Sequence, residues 1–240
     1  MYGYYGYGID PTYILVLIGV VLCLAASARV KSTFRKYARV NSFSGMTGAQ
    51  AAQKILNSNG IYDVRIEHIN GELTDHYDPS AKVLRLSDPI YGSSSVAAIG
   101  VAAHECGHAV QHQKAYAPLK IRTALVPAAN LGGQLGLPLV ILGIILGAIG
   151  SAFGSTIAMI GIWVFSLAVL FQIVTLPVEF NASHRALKML DQYGILGERE
   201  LQGARSVLSA AALTYVAAAA SSILQLLRLW LIFGGNRRDD

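Results

Sequence analysis

Ala102–Gln113 reads A-A-H-E-C-G-H-A-V-Q-H-Q, which sets His104, Glu105 and His108 in an H-E-x-x-H array. Positions four apart lie on one face of a helix, so both imidazoles can reach a single metal ion. Glu105 follows His104 by about 100° round that helix, close enough to touch a water beside the metal. The chemistry this set suits is metal-assisted hydrolysis with a carboxylate as general base. A zinc enzyme of this kind takes three protein donors and keeps one position open, so a third donor must come from elsewhere in the chain. Cys106 lies about 200° round from His104 and is expected to fill the protein interior rather than bind the metal. His112, one turn beyond His108, is expected to support the site or face solvent.

The rest of the sequence says where such a helix must be held. Hydrophobic residues make up 53% and charged residues 14%, against about 25% charged in an ordinary soluble domain, which points to lipid. The formal net charge is +5, and its placement matters more than its size. Arg29, Lys31, Arg35, Lys36, Arg39 and Lys54 occur with no acid between Asp10 and Asp63. A basic cluster directly after an apolar run is a cytoplasmic juxtamembrane signal. The cluster is short and has no nucleic-acid motif beside it, so no nucleic-acid partner is expected. Of the two cysteines, Cys23 sits in an apolar run and Cys106 inside the H-E-x-x-H array, so no disulfide framework is implied.

Taken in order, residues 1–10 form a flexible, tyrosine-rich opening and 11–28 a first span, free of charge. The Lys/Arg cluster follows this run instead of preceding it, the reverse of signal-peptide order. Residues 29–123 form the block that carries the H-E-x-x-H helix. In it Thr47 caps a helix over Gly48–Asn59, Val64–His68 alternates as a strand, and Asn70-Gly71 turns. Lys82–Leu86 reads as a second strand, placed at a sheet edge by its charges and so open to an extended peptide. Ser93–Ser95 offer N-caps for a helix from Val96 through Gln113. Thr123–Val178 carries no charged residue and reads as two spans, 124–149 and 155–176, joined by a hairpin at Gly150–Gly154. A helical block over 179–205 follows. Then comes an Ala-rich helix, 206–233, which is either a fourth span or packs on the soluble part, and a polar tail, 234–240.

A hairpin returns the chain to the side it left, so Glu179 emerges on the same face as the two histidines. It is the candidate third ligand, although an ordinary charge marking the membrane boundary is the commoner reason for an acid there. The runs H-E-C-G-H-A-V-Q-H, L-T-D-H-Y-D-P-S-A-K-V-L-R-L-S and V-E-F-N-A-S together resemble the YugP-like neutral zinc metallopeptidases of bacterial membranes. They are more distantly similar to HtpX-type membrane proteases. The resemblance implies a mainly α membrane protein with three to four transmembrane helices and a small α+β, zincin-like metalloprotease domain. It also implies one zinc ion held by His104, His108 and Glu179 in a gluzincin-like set, with Glu105 as catalytic base. HtpX-type sequences carry Asp four residues after the ligand Glu, where this chain has Ser183. Ser183 would therefore orient His104 as a neutral hydroxyl, a weaker partner.

The implied activity is a multi-pass membrane endopeptidase with its site on the cytoplasmic side. It would cleave polypeptides, membrane-associated or unfolded, by zinc-activated water. His76, Tyr77, His184 and Arg185 are all candidates to stabilise the oxyanion. A transporter is disfavoured because transport paths carry ionisable groups within the spans and Thr123–Val178 has none. The remaining alternative is a non-catalytic scaffold with structural zinc. Such sites close with four Cys or His donors and would have no use for Glu105.

Overall fold

The structure, a computed structural model, describes residues 10–234. The expected flexible opening and polar tail fall outside the described residues, apart from Asp10 and Gly234. In order the elements are α1 (Tyr13–Tyr37), α2 (Gly48–Ser58), β1 (Arg65–Ile69), β2 (His76–Asp78), β3 (Val83–Ser87), α3 (Asp88–Tyr91), α4 (Val96–Gln113), α5 (Ala117–Ala148), α6 (Gly154–Gln192) and α7 (Glu198–Gly234). Contacts divide the chain into two compact units, and four of the helices contribute to both.

One unit comprises Ala26–Ala124 and Val174–Val216. Its helices start where the sequence supplies caps. Thr47 Oγ1 accepts from Gln50 N at 3.3 Å and Gln50 Oε1 accepts from Thr47 N at 2.9 Å, a reciprocal capping box worth about 1 kcal/mol. Ser95 Oγ accepts from Ala98 N at 3.2 Å and starts α4. That helix is buried on nearly every side. It packs on α2, and the core around it joins Ile55, Leu56, Leu84, Leu86, Ile99 and Leu190. Cys106 belongs to this core, its thiol directed at Ala52 O, and burial pushes its pKa well up. It is an interior filler, as its angle on the helix implied.

The sheet has the order β1-β3-β2, with β1 parallel and β2 antiparallel to β3. The strand expected at an edge, Lys82–Leu86, is therefore the central one. The charge that suggested an edge is matched across the sheet: Arg85 lies 3.5 Å from Glu67 on β1 and 3.2 Å from Asp78 on β2. Cross-strand ion pairs let a central strand carry an arginine on its partly solvated face. β3 has neighbours on both sides, so it cannot accept an added strand, and the edges belong to β1 and β2.

Gly107 explains how close α6 comes to α4. A methyl group placed on it would lie 2.6 Å from Ala182 O, so only glycine lets the two backbones meet there. α6 runs unbroken through Glu179 instead of starting anew after the apolar stretch, and it ends at Gln192, before Gly194 at φ +57°.

In the other unit, whose described residues are 10–25, Leu125–Ile173 and 217–234, α5 and α6 form the expected hairpin, turning at Gly150 with φ +83°. α5 runs through both Pro127 and Pro138. The pair packs backbone against backbone through small residues. A methyl on Gly143 would sit 2.4 Å from Ala158 N, and one on Gly161 would sit 2.6 Å from Val140 N. Small residues at close crossings are how helices associate in lipid, where apolar burial supplies no driving force. Arg228 of α7 is 3.7 Å from Asp10 and stands 4.0 Å over the Tyr13 ring, so its charge is met within this unit. Among the described residues four helices, α1, α5, α6 and α7, are long and apolar enough to cross a membrane, α7 being the one the sequence left open. The chain is a mainly helical membrane protein with a small three-stranded sheet.

Candidate metal centre

α4 presents His104 and His108 on one face, one turn apart, with ring centroids 4.8 Å apart and planes at 87°. The close crossing at Gly107 brings Glu179 of α6 against that face. Glu179 Oε2 lies 3.2 Å from His104 Nε2 and 3.6 Å from His108 Nε2. The three donor atoms fall within 4.8 Å of one another. Zinc bonds of about 2.0–2.2 Å in tetrahedral array put neighbouring donors roughly 3.3 Å apart, so the spacing suits that ion.

Each imidazole is held by its other nitrogen. His104 Nδ1 is 3.1 Å from Ser183 Oγ, the neutral partner the sequence suggested. His108 Nδ1 is 3.0 Å from Gln111 Oε1. The Gln111 amide orientation follows from its two acceptors, since Nε2 donates to Val178 O at 2.8 Å and to Asn181 Oδ1 at 3.0 Å. With Oε1 thus facing His108, Nδ1–H donates to it and Nε2 is the nitrogen turned to Glu179. Deprotonated at Nε2, that imidazole is in the form that binds a metal. The donor set therefore fits zinc in chemistry as well as in spacing.

Glu105 is buried, and its Oε2 accepts from the backbone N–H of Tyr77 on β2 at 3.0 Å. Burial raises its pKa above the ordinary carboxylate range, while the neighbouring histidines pull the other way. Burial also disfavours a charged His108, but Glu179 and Glu105 beside it more than offset that, and its pKa lies above the usual value.

The oxyanion candidates are dispersed. His76 is exposed and bonded to Thr74 O at 2.7 Å, and His184 is exposed. Arg185 is held by Asn181 Oδ1 at 2.7 Å. The Tyr77 hydroxyl is 2.9 Å from His112 Nδ1, and burial pushes its pKa up to about 12, so it stays a donor at neutral pH. His112 is engaged by that contact and is not among the clustered donors.

Three residues at the centre were not singled out in the sequence. Gln111, three positions after His108, was marked only by that helical spacing. Arg122 Nη1 lies 3.7 Å from Glu179 Oε1, facing the carboxylate oxygen that the imidazoles do not. Tyr215 of α7 lines the same cavity as His104, Glu105 and Glu179, and an apolar alanine-rich context gave no signal for it.

The family model described as "Putative neutral zinc metallopeptidase" matches residues 12–234. "Putative membrane protease YugP" of Bacillus subtilis (strain 168) is 46% identical over 227 residues, 94% of this chain and 98% of that protein. No solved structure matches. The resemblance read from H-E-C-G-H and V-E-F-N-A-S is thus matched along nearly the whole chain, and zinc is the cofactor the family implies. The chain belongs to the neutral zinc metallopeptidase family.

Proposed function

We propose that this protein is a membrane-bound zinc endopeptidase in which His104, His108 and Glu179 hold the metal and Glu105 is the general base. One observation carries the reading. Two imidazoles and a carboxylate converge within 4.8 Å, and a fourth group, Glu105, is held beside them by the Tyr77 N–H at 3.0 Å. A structural site would need a fourth ligand and no base. Among the described residues the clustered donors are three.

When bound, zinc supplies Lewis acidity, which makes water a nucleophile near neutral pH. Glu105 accepts the proton from that water and passes it to the leaving amine. The Tyr77 N–H fixes the Glu105 carboxylate, and burial raises its proton affinity, which favours proton acceptance. Ser183 and Gln111 hold the Nδ1 sides of the two histidines, and Arg122 faces the outer oxygen of Glu179. The basic cluster from Arg29 to Lys54 supports a cytoplasmic site by the positive-inside rule.

The test compares zinc content and hydrolysis of an unfolded or membrane-protein substrate by wild type and Glu105→Gln. The variant is expected to keep zinc and lose activity by about 100-fold or more. Retained zinc with equal activity would sink the reading. For topology, Ala152→Cys is expected to react with an impermeant thiol reagent from outside the cell and Ser58→Cys to be protected. The opposite pattern would reverse the orientation.

A further inference from the structure

We infer that the cavity beside the metal centre is a specificity pocket for one large apolar side chain, leucine- or phenylalanine-sized, next to the bond being cut. The inference rests on the peptidase reading. The cavity contains His104, Glu105 and Glu179 in its lining, so whatever fills it lies against the reacting groups. Beside Asp75, Ser183 and Tyr215, the rest of its lining is apolar and comes mainly from three helices: Val30 and Phe34 of α1, Val101 of α4, and Val207, Leu208 and Ala211 of α7. Val207 and Leu208 are 2% and 3% exposed, so the wall that α7 gives the cavity is packed into the protein. The volume is 160 Å³. A cavity of about 150 Å³ accepts a benzene-sized group, so one leucine or phenylalanine side chain is of the size that fits.

A second cavity of 260 Å³ adjoins the first. The two share Val30, Phe34, Leu73, Asp75 and Val101. The outer one is rimmed by Lys31, Arg35 and Glu72, so the long charged side chains stand at the end away from the metal centre. The groove thus continues away from the reacting groups, as an extended peptide requires, and only its inner end selects by hydrophobicity. Substrate class follows: polypeptide segments with a bulky apolar residue flanking the cleaved bond, of the kind exposed when a chain is unfolded.

The experiment uses the full-length, zinc-loaded protein in detergent. Peptides differ only in the residues flanking one defined bond, taken as Gly, Ala, Leu, Phe, Trp or Lys. Leu or Phe on one side is expected to exceed Ala in kcat/KM by about 10-fold or more. Ala211→Phe fills the pocket and should shrink that preference to about threefold or less with zinc content unchanged. Phe34→Ala widens it and should admit Trp, which keeps the test intact if the filled variant does not fold. Equal rates across the panel, or an unaltered preference in a folded, zinc-loaded Ala211→Phe variant, would overturn the inference. A binding arm is independent of turnover: leucine hydroxamate and glycine hydroxamate are titrated calorimetrically against the wild type. Tighter binding of the leucine probe by about 10-fold is expected, and equal Kd values would overturn the pocket. The leucine preference in the absence of any peptide hydrolysis would uphold the pocket and count against the peptidase reading.

Discussion

Replacing Gln111 by leucine tests the way the centre is assembled. Gln111 is fully buried and makes three contacts, to His108 Nδ1 at 3.0 Å, Val178 O at 2.8 Å and Asn181 Oδ1 at 3.0 Å. Leucine has nearly the same shape and none of the polar atoms. At about 0.5–1.5 kcal/mol for each hydrogen bond, the loss totals roughly 1.5–4.5 kcal/mol. Part of that is the desolvated His108 N–H, left with no acceptor. Asn181 keeps Arg185 as a partner at 2.7 Å, which holds the loss toward the lower half of the range. A partner that orients a ligating histidine is worth about 10–100-fold in metal affinity, or about 1.4–2.7 kcal/mol. The assay is chelator-competition titration of zinc on detergent-purified protein, with thermal unfolding measured in parallel. Gln111→Glu separates the two roles. It keeps an acceptor for His108 but turns a carboxylate toward Val178 O and Asn181 Oδ1, so zinc should be held while stability falls. Wild-type zinc affinity in Gln111→Leu would refute the idea that this amide sets the His108 nitrogen. Equal losses of affinity in both variants would show that only packing between α4 and α6 matters.

Gly107→Ala should cost about 1–3 kcal/mol by overpacking, because its added methyl meets Ala182 O at 2.6 Å. Since α6 carries Glu179, zinc affinity should fall with it, and a variant unchanged in both melting temperature and zinc titration would contradict the close crossing. Acid stability should depend on Asp88, whose pKa is held below the ordinary carboxylate value by the Gly71 N–H and by His68. A depressed folded pKa stabilises above the unfolded value, near 4, and that contribution disappears as pH falls through the folded value. Melting temperature between pH 5 and 3 should therefore drop more steeply in the wild type than in Asp88→Asn, and parallel curves would exclude the effect.

What could be read in advance was local. Thr47 and Ser95 announce their helices through caps that act within three residues. His104 and His108 share a face because the helix repeat requires it, and Gly150 marks a turn because the spans on either side carry no charge. Sheet order was not legible, because the meaning of Arg85 depends on Glu67 and Asp78, which only the folded register sets beside it. Gln111 and Arg122 were hidden for the same reason, since α6 supplies the Val178 and Asn181 oxygens that orient the Gln111 amide and the Glu179 that Arg122 faces. The glycine spacing in α5, at 132, 136 and 143, was visible but reads as packing only once the facing helix is known.

His104 and Glu179 are 75 residues apart in the chain. A ribosome adding about 5–20 residues each second takes roughly 4–15 s to make the carboxylate after the imidazoles. If His104, His108 and Glu179 hold the metal as proposed, the nascent chain for that interval offers two of the three donors and cannot complete the site. Competence therefore arrives late, when α6 is made and seats on Gly107. A chain arrested before that point has both motif histidines and no enzyme.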